Sequence, residues 1–145
     1  MNDNYPNPWD FSNADKNLIS NDGQFRIEFG NLNEIGMGAP LGGQCFLVTN
    51  TNDKVLLSQW CGGPIVWEVK GNKVALPVWT RKFLKGTVQQ ITIEDLNTRT
   101  LTTYSQTFRV LDLRTFDDNN ISGYDSPVYN TKTLNLDISK MNIAK

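Results

Sequence analysis

Residues 64–105 read PIVWEVKGNKVALPVWTRKFLKGTVQQITIEDLNTRTLTTYS, and this stretch decides the fold class. Ile65, Trp67 and Val69 alternate with Val66, Glu68 and Lys70, which puts the first three on one face of a pleated strand. Gly71-Asn72 supplies a turn, and Val74, Leu76 and Val78 resume the alternation beyond it, so a hairpin is expected. After the connection Arg81-Lys82-Phe83-Leu84-Lys85-Gly86, residues 88–96 and 100–104 form another hairpin around Asn97-Thr98, rich in the β-branched residues that suit a pleated surface. Pro77 has no N–H for a ladder, which places its strand at a sheet edge or marks a bulge beside Trp79.

The same period of two extends in both directions. Phe25, Ile27 and Phe29 alternate with Arg26 and Glu28, and the apolar run 45–48 pairs with 54–59 across the polar turn TNTND. Residues 108–116 are the longest strand candidate, with a bulge expected where the inward set changes from Phe108 and Val110 to Leu111 and Leu113. Residues 117–130 read as a loop, and Leu134, Leu136 and Ile138 as the inward side of a last strand. No segment has apolar residues at 3.6 spacing for the three turns a packed helix needs. The expected fold is all-β: an antiparallel sandwich or partly open barrel of consecutive hairpins. It occupies residues 25–145 as a single domain, with residues 1–24 as an irregular lead-in pinned by Trp9, Phe11, Leu18 and Ile19 around a short helical turn near 15–18. The rhythm of residues 64–105 resembles one blade of a β-propeller, but four blades of ~40 residues need more chain than this.

At 145 residues with 39% hydrophobic and 20% charged residues, the chain suits one folded domain and not a disordered one. A net charge of −1 and a pI near 5.3 provide no field to hold a polyanion, so nucleic acid is not an expected partner. Arg81, Lys82 and Lys85 read as a solvated loop around Phe83 and Leu84. No apolar run reaches the ~20 residues of a membrane span, and the N-terminal residues lack the basic and apolar regions of a signal peptide. No membrane partner and a cytoplasmic location are the resulting expectations. Cys45 and Cys61 fit neither a CxxC pair nor a disulfide scaffold and are expected as buried or half-buried free thiols.

Much chemistry is poorly served by this composition. Without histidine, a Ser or Cys nucleophile lacks its usual base, and two cysteines cannot supply the four ligands of a structural zinc site. No metal and no cofactor are expected. The glycines of GMGAPLGG miss the spacing of a phosphate loop, and a strand follows them where such a loop needs a helix. Glu28, Glu34, Glu68 and Glu94 are the carboxylates that a glycoside hydrolase would pair, but Glu28, Glu68 and Glu94 occupy the polar positions of alternating strands and are expected to face solvent.

A recognition surface remains. Trp67 alternates with Ile65 and Val69 and belongs in the core, whereas Trp60 and Trp79 flank turns and are candidate partner-binding anchors of the type enriched at interfaces. Asp117, Asp118, Tyr124, Asp125 and Tyr129 form a second candidate, an acidic and aromatic loop that would complement a basic partner. The expected function is a non-catalytic protein-binding domain, most concretely a bacterial immunity-type inhibitor that covers the surface of a toxin or enzyme. The alternatives are a small-ligand or carbohydrate-binding module stacking on the tryptophans, a hydrolase with paired carboxylates, and a structural subunit. The oligomeric state is left open.

Overall fold

The computed structural model describes residues 5–144, and all of its regular elements there are strands and short 3-10 turns. A large antiparallel sheet follows the order β1 (Phe25–Glu34), β2 (Leu41–Thr49), β3 (Lys54–Cys61), β5 (Lys73–Lys82), β6 (Gly86–Asp95), β7 (Thr100–Thr103). The two-residue strand β4 (Val66–Trp67) also pairs with β5. A second sheet has the order β10 (Lys132–Asp137), β9 (Asn120–Asp125), β8 (Leu111–Asp117). Both sheets are open, and each neighbour is reached through a hairpin or a short connection. No helix among the described residues is long and apolar enough to cross a membrane.

Two cores lie on opposite faces of the large sheet, and β5 contributes to both. Val74 and Leu76 point into a cluster with Ile27, Phe29, Cys45, Leu47, Leu57 and Trp67, which Phe11 and Leu18 of the N-terminal segment close from above. Ala75, between them, points the other way, where Ile91 and Ile93 of β6 meet Leu111, Leu113, Phe116 and Ile121 of the small sheet. Alternation along one strand therefore divides the molecule into a segment-covered half and a sheet-on-sheet half.

β5 is interior and its register with β6 has no bulge, which corrects both the edge position and the bulge expected from Pro77. The strand pairs along its whole length with β6, Pro77 lying opposite Ile91, while β3 and β4 share its other side. The Pro77 carbonyl accepts from Gly62 N–H at 2.7 Å, so the missing proline N–H falls on the same side, in the gap where β3 ends and β4 has not begun. A ladder position without a partner tolerates proline.

Three other expectations change. Residues 117–130 are not one loop, because 120–125 form the central strand of the small sheet. Phe108 does not belong to β8; it makes a bridge to Gln89, and the β8 irregularity lies between Leu113 and Thr115. Only Val66 and Trp67 of the 65–69 run are strand, and Val69 is exposed. By contrast, β1 starts at Phe25, the lead-in has its turn at Lys16–Leu18, and Trp67 is buried, all as expected.

Close strand approach explains two glycines. A Cβ on Gly43 would stand 2.5 Å from the Gly30 carbonyl oxygen, and one on Gly123 would strike the Asp112 carbonyl. Gly123→Ala is expected to cost about 1–3 kcal/mol by overpacking, read as a lower urea midpoint, whereas Gly36→Ala, whose nearest neighbour is the Ala39 Cβ at 3.8 Å, should leave the midpoint in place.

Candidate binding surface

Trp60, near the end of β3, and Trp79, on β5, lie where these two strands diverge beyond their single paired position, Cys61 opposite Val78. Their rings are 6.2 Å apart and tilted by 37°, and the Arg81 guanidinium stands 5.4 Å over the Trp60 ring. Trp79 Nε1 donates to the Leu41 carbonyl at 3.1 Å. Gly62 leaves room for this packing, since a Cβ there would come within 3.0 Å of Trp79 Nε1 and 2.5 Å of Gln89 Nε2. At 4% exposure Trp79 is a core residue, which corrects its placement at the surface. Its apolar area fills the wedge between diverging strands, and its N–H is satisfied internally. Trp60 is half-buried beside it.

A groove of about 400 Å³ opens next to Trp79, between Ile35 and Pro40 of the β1–β2 connection and Lys85, Thr87 and Arg109. Two cations and no carboxylate line it. Of the candidate tryptophans, only Trp79 reaches this groove.

The acidic and aromatic candidates do not form one patch. Asp117 and Asp118 stand at the β8–β9 turn, while Tyr124, Asp125 and Tyr129 lie at the other end of β9, roughly 17 Å away along a six-residue strand. Asp117 is exposed, and Asp118 has a left-handed backbone with φ 58° and donates its N–H to Glu68 Oε2 at 3.1 Å. Asp125 Oδ1 accepts from the backbone N–H groups of Arg109 and Val110 at 3.0 and 3.1 Å and from Ser126 Oγ at 3.3 Å. Asp125 is thus a brace for the approach to β8 and the root of the β9–β10 connection. From that root Val128 and Tyr129 project, 76% and 70% exposed, beside the partly exposed Tyr124. Val128 was missed in the sequence because a lone valine after Ser126-Pro127 has no periodicity to mark it.

Glu68 and Glu94 are 3% and 2% exposed, against their expected place on solvated faces. Each holds a structural partner: Glu68 the turn at Asp118, and Glu94 the Arg99 Nε at 3.1 Å. Asp112, also buried, pairs with Arg114 at 2.8 Å under the Tyr5 ring. Burial pushes the carboxyls of Glu94 and Asp112 above their ordinary values, with the neighbouring arginines opposing it. Glu28 is half-buried between two cations, and Lys54 and Arg26 hold its carboxyl below the usual range. Cys45 and Cys61 are free and buried in one core, and desolvation pushes the Cys61 thiol well up. Among the described residues no group of three Asp, Glu, Cys or His could hold a metal ion.

The Glu94 shift sets a pH dependence. Because its folded value is raised, the stability it contributes is fully present below its ordinary value of 4.5 and is lost as pH rises through the folded value. Glu94→Gln should therefore remove a contribution that raises the urea midpoint on acidification from neutrality towards about pH 4.5, the exposed Arg99 returning to solvent. Parallel profiles for the two proteins would show that Glu94 is not the group responsible. No family model matches the chain, and no curated protein or solved structure matches it either.

Proposed function

We propose that this chain is a non-catalytic protein-binding domain that neutralises a toxin or enzyme by covering its surface, in the manner of a bacterial immunity protein. The observation that carries this reading is the β9–β10 connection: Tyr124, Val128 and Tyr129 are presented to solvent on a root braced by Asp125. A preorganised root lowers the entropy lost when a loop is captured, and exposed tyrosine supplies large contact area with few rotors. Asp117 and Asp118, at the far end of β9, act as a separate rim that steers a basic partner.

A small-ligand reading is favoured by one observation, the groove beside Trp79, whose size is that of a ligand pocket. Its two cations, Lys85 and Arg109, would select an anionic ligand, and Trp79 would contribute a groove wall instead of an open stacking platform.

The test begins with coexpression and copurification of the product of the adjacent open reading frame, followed by calorimetry. Tyr129→Ala with Val128→Ser should weaken that complex at least tenfold, about 1.4 kcal/mol, without moving the melting temperature. Asp117→Asn with Asp118→Asn should slow association and reduce its salt dependence, because asparagine tolerates the left-handed backbone at position 118. A complex indifferent to both pairs would remove the inhibitor surface described above, and saturable stabilisation by a small anion would favour the groove.

A further inference from the structure

We infer that the tip of the β5–β6 hairpin is a membrane-surface anchor, seating Phe83 and Leu84 at the headgroup level of an anionic bilayer with Arg81, Lys82 and Lys85 behind them. This goes beyond the protein-binding reading and uses none of the β9–β10 residues.

The paired register of β5 and β6 runs out to Lys82 opposite Gly86, so only Phe83, Leu84 and Lys85 remain to turn the chain. Lys85 N–H donates to the Lys82 carbonyl at 3.1 Å, closing a tight turn that cannot fold back over either core. Phe83 and Leu84 are each 90% exposed. Leu84 has φ 69°, a left-handed backbone that favours glycine or asparagine at this place in a turn. A bulky aliphatic residue there carries a cost in strain and gains no burial within the fold in return.

The charged residues of the hairpin's outer half have one sign. Between Glu68 and Glu94 the chain carries no carboxylate, and among the described residues none of Arg81, Lys82 and Lys85 forms an ion pair. Arg81 rests over Trp60 and Lys85 donates to Thr107 Oγ1 at 3.2 Å, which leaves both positive charges uncompensated. An apolar point with uncompensated cations behind it complements an anionic surface.

Shape decides which anionic surface. A two-residue convex tip is far smaller than the ~800 Å² per partner of a stable protein interface, whereas a bilayer needs no matching relief and accepts apolar side chains wherever they enter. The absence of a spanning segment does not bear on attachment of this kind. Each basic residue near an anionic bilayer adds roughly fivefold in partition, and the whole tip should give reversible binding on the order of that of a single acyl chain.

The full chain should cosediment with vesicles of phosphatidylcholine containing about 30% phosphatidylserine at about 1 mM lipid, but not with phosphatidylcholine alone, and should be released by high salt. Phe83→Ser with Leu84→Gly should cut partition at least tenfold while leaving the melting temperature unchanged or higher, since glycine relieves the backbone at position 84. Lys82→Glu with Lys85→Glu should abolish binding. Phe83→Trp should shift its emission to the blue on anionic vesicles and be quenched by brominated lipid. Absence of wild-type partition, equal binding to both vesicle types, or tip variants that bind as the wild type would each overturn the assignment. Loss of a protein partner by tip variants of a chain that never binds vesicles would do so as well, placing the tip in a protein interface.

Discussion

Everything in this fold depends on β5 being buried on both faces. A strand covered on one side only can alternate apolar and polar residues, but one that contributes to two cores carries apolar residues on both faces. The run Val74-Ala75-Leu76-Pro77-Val78-Trp79 meets that demand, with Val74 and Leu76 in one core and Ala75 in the other. The small residue lies on the side where the second sheet packs, and the larger ones on the side that the N-terminal segment must reach. Loss of the Leu76 side chain would open a cavity in a site with little freedom to collapse, a change that typically costs 2–5 kcal/mol.

Polar groups at the seam between the sheets then set their relative position. Gln89, fully buried on β6, donates from Nε2 to the Pro77 carbonyl and accepts the Leu111 N–H on Oε1, while its backbone bridges to Phe108. One amide side chain thereby links β5, β6 and the start of β8. Glu68 does the equivalent at the β8–β9 turn, while Asp125, at the other end of β9, ties that strand to the approach to β8. An unpartnered buried polar group is costly, so each of these contacts specifies a position more sharply than apolar burial does.

This division explains what was legible in the sequence. Most strands from Phe25 to Thr103 announce themselves because period two and turn residues are local signals, but the pairing of β1 with β2 and of β5 with β6 does not follow from those signals. The β9 strand does not, because its inward face carries only Ile121 and then Gly123, whose missing side chain is required by the Asp112 carbonyl. Glu68 and Glu94 look solvated in sequence since alternation cannot show that a carboxylate has found a backbone N–H or an arginine. Trp79 looks like a surface anchor because the divergence of β3 and β5, which creates the wedge it fills, is a tertiary event. Of the proposed surface, Tyr124 and Tyr129 were visible as aromatics among acids, but the brace role of Asp125 needed the register that brings it to Arg109 and Val110.

The β5–β6 tip shows the same limit from the other side. Phe and Leu between basic residues have one pattern whether the turn folds back over a core or projects from it. What distinguishes the two is the number of residues left after pairing ends, and pairing here continues to Lys82 and Gly86. Burial of β5 ends at Trp79, but its ladder with β6 continues through Arg81 and Lys82, which carries the hairpin outward and leaves two apolar side chains beyond both cores. Sequence choice could still have filled the turn with glycine and asparagine, as its backbone prefers; the presence of Phe83 and Leu84 instead is what calls for a contact outside the fold.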